Sequence, residues 1–360
     1  MKPNTILTLS KQLIALKSTP GNREVLEQCL QIVLSHLEGF TVEHFESEGV
    51  KSVLIHNQKT QPKKFRIILN GHLDVIPGKD HQYKPRVENN RLYGVGALDM
   101  KSNLSCLIAA FSDTAKKVNY PLGLQIVTDE EIGGFNGTKY QITKGVKADF
   151  VIAGETTNFN IAHKAKGVIW AKISSTGVSA HGAYPWRGTN AIWRMKHFLD
   201  QLEKEFPIPT RQQWITTVNL SNVSSTNQAF NKIPDNCEAW LDIRYIPEDQ
   251  KKVLPKIKKL LSEGLKIEIV THEPALFVEK ENKYIQVLKK ISEQTTGRSV
   301  KLYGAQGSSD ARHYTKMGYD GIEFGPIGGG IASDQEWIDI SSLETYHKIL
   351  TTFLLSLSNK

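Results

Sequence analysis

Four short segments of the sequence place acids, and in one case a histidine, directly after runs of apolar residues. They are GHLDVIPG with His72 and Asp74, GALDMKSN with Asp99, TDEEIGG with Glu130 and Glu131, and AGETT with Glu155. Neutral imidazole and carboxylate oxygens are the ligands that bind ions such as zinc. Carboxylates crowded together would repel one another unless cations neutralised them. The four segments therefore predict a metal site.

Taken singly, each segment has an ordinary structural interpretation. A lone histidine after a strand is usually structural, Asp99 sits in a glycine-flanked loop where it could cap a helix, and the adjacent Glu130 and Glu131 could form a solvated turn. Beside a metal, in contrast, one of two adjacent glutamates can bind the ion while the other moves protons to and from a water. The same placement in four segments favours a shared site.

The elements that would position these side chains alternate between strands and helices. FRIILNG, LGLQIVTDEE and DFVIAGE read as buried strands because their apolar residues run without alternation, and residues 5–36 and 102–117 carry apolar positions at helical spacing. This alternation predicts an α/β fold with a mostly parallel mixed sheet flanked by helices. Ligands of such sheets lie at the carboxyl ends of the strands, where the four acidic segments fall.

A second pattern begins after Lys166. Between VIWAKISST and LKIEIVT, the elements follow in the order strand, helix, strand, strand, helix, strand, which is typical of a ferredoxin-like α+β domain. After Pro274 the alternation of helices and strands resumes. We therefore expect a metal-binding catalytic domain of residues 1–165 and 275–360, interrupted by an inserted lid or dimerisation domain of residues 166–274.

Composition argues against several classes of protein. The net charge of +8 comes from scattered lysines mixed with acids, so nucleic-acid binding is not expected. No apolar run is long enough to span a membrane, and the first residues read as an amphipathic helix rather than a signal peptide. The three cysteines, Cys29, Cys106 and Cys237, are far apart and indicate a reducing compartment. We expect a cytoplasmic protein that binds neither nucleic acid nor membranes.

The four segments, in this order and spacing, resemble the zinc-dependent family of acetylornithine deacetylase, succinyl-diaminopimelate desuccinylase, aminoacylase and glutamate carboxypeptidase. The resemblance continues through GVSAHGAYPWRGTNAI and FNKIPDNCEAWLDIRYIP of the inserted domain, and through QGSSDARHY and GPIGGGIASDQEWIDI near the C-terminus. Single motifs are weak, but the ordered set is highly specific and covers nearly the whole chain. The resemblance implies a zinc-peptidase-like catalytic domain.

The resemblance also implies a site for two divalent ions, zinc or alternatively cobalt. His72 and Glu155 would bind one ion, Asp99 would bridge both, and Glu131 would bind the second. Two such ions about 3.5–4 Å apart can lower the pKa of a shared water and polarise an amide carbonyl.

Further residues receive catalytic or substrate-binding roles from the same resemblance. Glu130 would be the general base, Asp74 would orient the histidine ligand, and His181 would stabilise the oxyanion, in the family often across a dimer interface. Arg244 would hold a substrate carboxylate, for which a planar guanidinium is suited, and Asn231 would line the same pocket. A homodimer through the inserted domain is expected.

One position departs from the family pattern. The family normally has a histidine ligand about four residues before an acid near the C-terminus, and Ala332 stands at that place before Glu336. An alanine methyl cannot bind metal, and no histidine lies between His313 and His347. Asp334 or a water could complete the second site, the site could be weak or empty, or the alanine could be a deliberate substitution. We expect the first ion to bind more tightly.

The expected function is metal-dependent hydrolysis of the amide bond of an N-acyl amino acid with a free carboxylate, as in acetylornithine deacetylase or succinyl-diaminopimelate desuccinylase. A dipeptidase or carboxypeptidase of the same family is the alternative among enzymes. A catalytically silent relative that binds a small molecule is the alternative from another class, because Ala332 removes a ligand.

Overall fold

The computed structural model describes residues 3–358, and the chain divides into two compact units. The first unit consists of Met1–Lys164, Leu276–Tyr303 and Ser309–Lys360, and the second of Ala165–Ala275 and Gly304–Ser308. Among the described residues, no helix combines the length and the apolar character needed to cross a bilayer. The lid or dimerisation role of residues 166–274 stays a prediction.

Strands and helices alternate along both units. The strands are β1 Thr41–Ser47, β2 Val50–His56, β3 Phe65–His72, β4 Arg86–Glu88, β5 Arg91–Tyr93, β6 Leu122–Val127, β7 Ala148–Ala153, β8 Ile161–Ala165, β9 Gly167–Thr176, β10 Thr217–Ser224, β11 Asn236–Tyr245, β12 Leu265–Glu273, β13 Leu276–Phe277, β14 Leu302–Ala305, β15 Asp320–Glu323, β16 Gly328–Gly329 and β17 Trp337–Asp339. The helices are α1 Pro3–Ile14, α2 Arg23–Ser35, α3 Lys101–Thr114, α4 Thr138–Thr143, α5 Ala191–Glu205, α6 Val253–Lys259, α7 Lys283–Thr296, α8 Ala311–Lys316 and α9 Ile340–Ser356.

The large sheet of the first unit is mixed and has a parallel centre. Its strand order is β1-β2-β6-β3-β7-β15-β8-β13, and β14 also pairs with β8. The neighbours β6, β3, β7 and β15 run parallel, whereas β1 and β2 add to β6 as an antiparallel pair. The predicted α/β class, a mixed sheet flanked by helices, is confirmed. Three carboxyl ends that matter for the site, those of β3, β6 and β7, therefore meet at one edge.

Helices cover both faces of this sheet because its strands are apolar on both sides. On β3, Ile67 and Leu69 join the core under α1, α3, α7 and α9, while Ile68 joins a second core with Ile142 of α4 and Tyr314 of α8. The predicted helical stretch 5–36 is two helices, separated by a loop that contains Pro20. Proline lacks the N–H that a continuing helix needs.

The second unit is a four-stranded sheet with two helices on one face. The chain order β9-α5-β10-β11-α6-β12 and the sheet order β10-β11-β9-β12, with antiparallel neighbours, are those of a ferredoxin-like fold. Ile169 and Ile173 of β9 and Ile243 of β11 pack against Phe198 of α5 and Ile257 of α6. The alternate residues of these strands lie on the opposite, outer face of the sheet.

Candidate metal centre

One histidine and two carboxylates converge at the carboxyl edge of the large sheet. His72 Nε2 lies 3.0 Å from Asp99 Oδ1 and 3.9 Å from Glu155 Oε1. One ligand atom from each residue lies within 4.8 Å of the other two. His72 is buried, whereas the carboxylates keep about a fifth of their surface exposed. Three of the four segments singled out in the sequence thus contribute to one small cluster.

The backbone brings these side chains together from three neighbouring elements. His72 ends β3, Asp99 lies in the loop before α3, and Glu155 follows β7, the parallel neighbour of β3. A Cβ at Gly71 or Gly154 would lie 2.9 or 2.8 Å from Met100 Cε, so a larger residue at either position would displace the Met100 side chain at the start of α3.

Two polar side chains fix the loops that carry the carboxylates. Asn103 Nδ2 donates to the Gly154 carbonyl at 2.7 Å and to Thr156 Oγ1 at 2.9 Å, which ties α3 to the loop of Glu155. Glu336 Oε1 accepts hydrogen bonds from the backbone N–H of Leu98 at 2.8 Å and of Asp99 at 3.2 Å. Glu336 is buried, so it stabilises this loop from inside the protein.

Asp74 connects the histidine to the loop of the two glutamates. His72 Nδ1 lies 2.9 Å from the Asp74 backbone carbonyl and 3.4 Å from its carboxylate. The carboxylate of Asp74 accepts the backbone N–H groups of Glu130 at 3.2 Å and Glu131 at 2.9 Å. The residue predicted to orient His72 therefore contacts the ring mainly through its carbonyl, and its carboxylate positions Glu130 and Glu131. Since the ring donates through Nδ1, its Nε2 is left to face the carboxylates.

A group of residues from α8 holds the same loop from the other side. Arg312 donates from one terminal nitrogen to the Gly133 carbonyl at 2.6 Å, and its other terminal nitrogen lies 3.9 Å from Glu130 Oε1. His313 Nε2 lies 2.9 Å from the same carbonyl. Gly133 has a φ of 110°, which favours glycine, and it reverses the chain directly after the two glutamates.

The electrostatics of the cluster indicate excess negative charge. Burial raises the pKa of Glu130 and Glu155 well above the ordinary range, and it raises the pKa of Glu131 to about 7 with Asp99 as the next cause. Burial lowers the pKa of His72, but the carboxylates of Asp74 and Asp99 outweigh it and raise that pKa well above its usual value. Carboxylates that hold protons so strongly are groups whose charge a cation would neutralise.

The remaining predicted residues lie at the protein surface. Ala332 is exposed, with a φ of 58°, and Asp334 pairs with Lys79 Nζ on the surface. His181 and Asn231 are exposed on the second unit, where the isolated bridge of His181 to Lys232 brings their backbones together. Among residues 3–358, the cluster at His72 is the one group of at least three possible metal ligands that lie close enough together to hold an ion.

Arg244 lies on the outer face of β11 in the second unit. Its Nε donates to Asp242 Oδ1 at 2.8 Å, the pairing that two residues on the same face of a strand can make. The side chain is about one-third exposed.

Comparison with known proteins shows the family to which the chain belongs. The profile of peptidase family M20/M25/M40 matches residues 68–356. The chain belongs to this family. It is therefore a hydrolase of the metallopeptidase and amidohydrolase type, and the resemblance drawn from the motifs is confirmed.

Individual relatives of this M20 family chain have different names. The chain is 29% identical to the succinyl-diaminopimelate desuccinylase of Pelagibacter ubique (strain HTCC1062), with 97% of each sequence covered. A tripeptidase from Staphylococcus aureus has a TM-score of 0.82 and 17% identity, covering 100% of both chains. The YxeP protein of Bacillus subtilis, described as a dinuclear metal-binding M20 peptidase, has a TM-score of 0.74 at 10% identity, covering 99% and 98%.

The residues of this M20 chain fit divalent ions. One imidazole and two carboxylates converge, and the carboxyl of Glu131, whose pKa is raised to about 7, adjoins them. Burying acids without a cation to neutralise them costs free energy. Asp310, Arg312 and Glu323 were not predicted from the sequence. Glu323 also ends a strand, and burial raises its pKa to about 7. The acid at the carboxyl end of β15 could have been recognised by the rule applied to the other segments.

Proposed function

We propose that this chain hydrolyses the amide bond of an N-acyl amino acid in a metal-dependent reaction. The observation that carries the proposal is the convergence of His72, Asp99 and Glu155 at the carboxyl edge of the sheet. The similarity to a desuccinylase over 97% of both sequences supports a deacylase rather than a peptidase. The substrate would be a small molecule of amino-acid metabolism with a free carboxylate.

His72, Asp99, Glu131 and Glu155 would hold two divalent ions, zinc or cobalt. When bound, the ions would supply Lewis-acid polarisation of the amide carbonyl and a lowered pKa for a water molecule. Asp99 would be shared, and the ion at His72 and Glu155 would bind more tightly because Ala332 offers no ligand to the other.

Glu130 would act as the general base and then the general acid. Its carboxyl is buried and lies 3.9 Å from a guanidinium nitrogen of Arg312, so its position is restrained. It would take a proton from the attacking water and deliver it to the leaving amine. Asp74 would keep both His72 and the Glu130 backbone in place through the contacts it makes to each. These are proton-transfer and positioning tasks of the kind carboxylates perform in hydrolases.

His181, Asn231 and Arg244 of the second unit would complete the site. The exposed His181 imidazole would stabilise the negative oxygen that develops at the carbonyl. Arg244 would bind the substrate carboxylate and Asn231 would line its pocket. A homodimer through residues 166–274 is part of the proposal, as is a cytoplasmic location, for which the three buried free cysteines are the support.

A substrate panel tests the proposal. The protein is stripped with a chelator, reloaded with zinc or cobalt, and assayed against N-acetyl and N-succinyl amino acids and against dipeptides. We expect hydrolysis of the acylated amino acids that disappears with the metal. Faster turnover of dipeptides would replace the proposal by a peptidase of the same family, the alternative that the similarity to a tripeptidase fold keeps open.

A catalytically silent, ligand-binding relative is the second candidate because of Ala332. It would be supported if neither the native protein nor the variant Ala332→His hydrolysed any member of the panel while both bound amino acids. High activity of the native alanine form would exclude it.

A further inference from the structure

Residues 13–18, at the C-terminal end of α1, contact two of the loops that carry the proposed metal ligands. At one end of this segment, the buried Ser18 holds the chain that leaves His72. Its Oγ donates to the Leu73 carbonyl at 2.7 Å, and its own carbonyl accepts the backbone N–H of Val75 at 3.0 Å. The segment is thereby tied to the loop that follows the histidine ligand.

The other end of the segment is tied to the loop of Asp99 through a buried lysine. Lys101 begins α3 two residues after Asp99, and none of its surface is exposed. Its Nζ donates to the carbonyls of Leu13 at 2.8 Å and Leu16 at 2.9 Å. Carbonyls at the end of a helix are short of N–H donors, and the helix dipole favours a cation there. The ammonium of Lys101 therefore caps α1.

The same lysine closes the loop that carries Asp99. Its backbone N–H donates to the Gly96 carbonyl at 2.8 Å, and a Cβ on Gly96 would lie 2.9 Å from Lys101 Cδ, so the lysine stem packs against the loop. Gly94, whose φ of 151° favours glycine, faces Ile14, because a Cβ there would lie 2.5 Å from Ile14 Cγ2. The end of α1 thus packs directly against the loop to which Lys101 joins it.

We propose that Lys101 is a positioning residue of the metal centre, which fixes the bridging carboxylate of Asp99 relative to His72 by joining the Asp99 loop to the end of α1. Ser18 completes the link on the side of the histidine. Contacts behind the ligands matter because they hold ligand atoms at the separation that an ion requires. The inference rests on the metal ions of the proposed function and is independent of the substrate.

Arg66 provides a matched control for a lysine that only stabilises the fold. It lies near the start of β3, at the opposite end of this strand from His72, and its Nη1 donates to the Leu357 carbonyl at the end of α9 at 2.9 Å. It is a second cation that caps a helix of the same unit, away from the metal ligands. Replacing either cation should lower the melting temperature of the metal-free protein, whereas metal binding should change only for Lys101.

The test compares native protein, stripped with a chelator, with Lys101→Met, Lys101→Gln, Ser18→Ala and Arg66→Met. Zinc affinity is measured by competition with a chromophoric chelator at a temperature where every variant is folded. We expect Lys101→Met to weaken binding of the tighter zinc roughly 10- to 100-fold, as the loss of contacts behind metal ligands does. Ser18→Ala should cause a smaller loss, and Arg66→Met should bind zinc as native protein does.

The visible absorption of bound cobalt gives a readout that a change in stability alone would not move, because it depends on the number and arrangement of the ligands. Each protein is loaded with saturating cobalt, so that a weaker affinity does not lower the occupancy. The bands of Lys101→Met should differ from those of native protein in position and intensity. The spectrum of Arg66→Met should coincide with the native one.

The proposal is overturned if Lys101→Met binds zinc as tightly as native protein or gives the native cobalt spectrum, or if Arg66→Met shows the same changes. Should Lys101→Met not fold, Lys101→Gln, which keeps an N–H donor on a shorter stem, and Ser18→Ala decide by the same criteria. A native protein that binds zinc but hydrolyses nothing would refute the proposed function and leave this role of Lys101 standing. Failure of native protein to bind zinc would refute both.

Discussion

The two units differ in how their charged groups are compensated at the places where we propose ligands. In the first unit, several buried or half-buried carboxyls surround one histidine, and the pKa values of Glu131 and Glu155 are raised. In the second unit, Arg244 donates to the carboxylate of Asp242 at 2.8 Å, so its charge is compensated within the sheet. The carboxyl cluster of the first unit is not fully compensated in this way, which points to a cationic ligand there.

The comparison teaches that an uncompensated group of charges indicates a ligand only when the group is buried. A surface cluster of like charges is screened by water and salt and says little. The same charges inside the protein cost free energy until a ligand compensates them. Cations in the first unit are also a component that the proposed reaction needs, because metal ions would activate its water.

The largest effect should come from Glu130→Gln, which separates chemistry from metal binding in the first unit. The amide is close in shape but cannot take a proton, so we expect kcat to fall about 10²- to 10⁴-fold. Zinc content, measured by elemental analysis, should stay at the native level. Glu131→Gln is the contrast, since it should lose both activity and zinc. Equal zinc loss in the two variants would mean that Glu130 is a ligand and not the base.

Variants of Arg312 test whether activity depends on holding the loop of Glu130 and Glu131 in place. Arg312→Met removes the hydrogen bond to the Gly133 carbonyl and the cation near Glu130, so kcat should fall roughly 10- to 100-fold with a smaller change in KM. Arg312→Lys keeps the charge but not the two-point contact and should recover part of the activity. Lys316→Met, an exposed position at the end of the same helix, is the control and should behave as native.

The strand-end acids could be predicted because their position follows from local sequence. An apolar run followed by Asp or Glu indicates the carboxyl end of a buried strand, and parallel strands bring such ends to one edge. His72 and Glu155 follow this rule, whereas Asp99 lies in the loop before α3 and was assigned through the family resemblance. The class of the fold and the order of elements in the second unit followed from the same periodicity.

The residues that hold the site could not be predicted in this way. Asn103, Arg312 and Glu336 act through side-chain contacts to backbone groups 51, 179 and 238 residues away, and no local pattern encodes such pairs. The burial of Lys166 was equally hard to predict, because a lysine before a strand normally lies in solvent. Its burial and its register against Arg244 are properties of the folded sheet.

The stability of the metal-free protein should fall as pH rises. Burial raises the pKa values of Glu131, Glu323 and Glu336 to about 7 from the ordinary 4.5. Such groups bind more protons folded than unfolded, so their stabilising contribution is complete below pH 4.5 and lost as pH approaches and passes 7. In chelator, the melting temperature should drop a few °C between pH 5 and pH 8.

Zinc should reverse that trend, because it binds the deprotonated ligands and competes with their protons. Melting curves at the same pH values with saturating zinc should show higher stability at pH 8 than at pH 5. If metal-free and zinc-loaded proteins respond to pH in the same way, the raised pKa values do not belong to a metal centre and the contrast between the two units fails.

The smallest effect should come from Ala332→His, which sharpens the comparison within the first unit itself. Titration of native protein should reveal one tight and one weak zinc, the tight one at His72 and Glu155. The exposed loop already has a φ of 58° at this position, which histidine tolerates about as well as alanine, so the variant should fold normally. The added imidazole should strengthen the weak site on the order of tenfold. Two equally tight ions in the native protein would show that Ala332 costs no ligand, and that a water or another group already completes the second site.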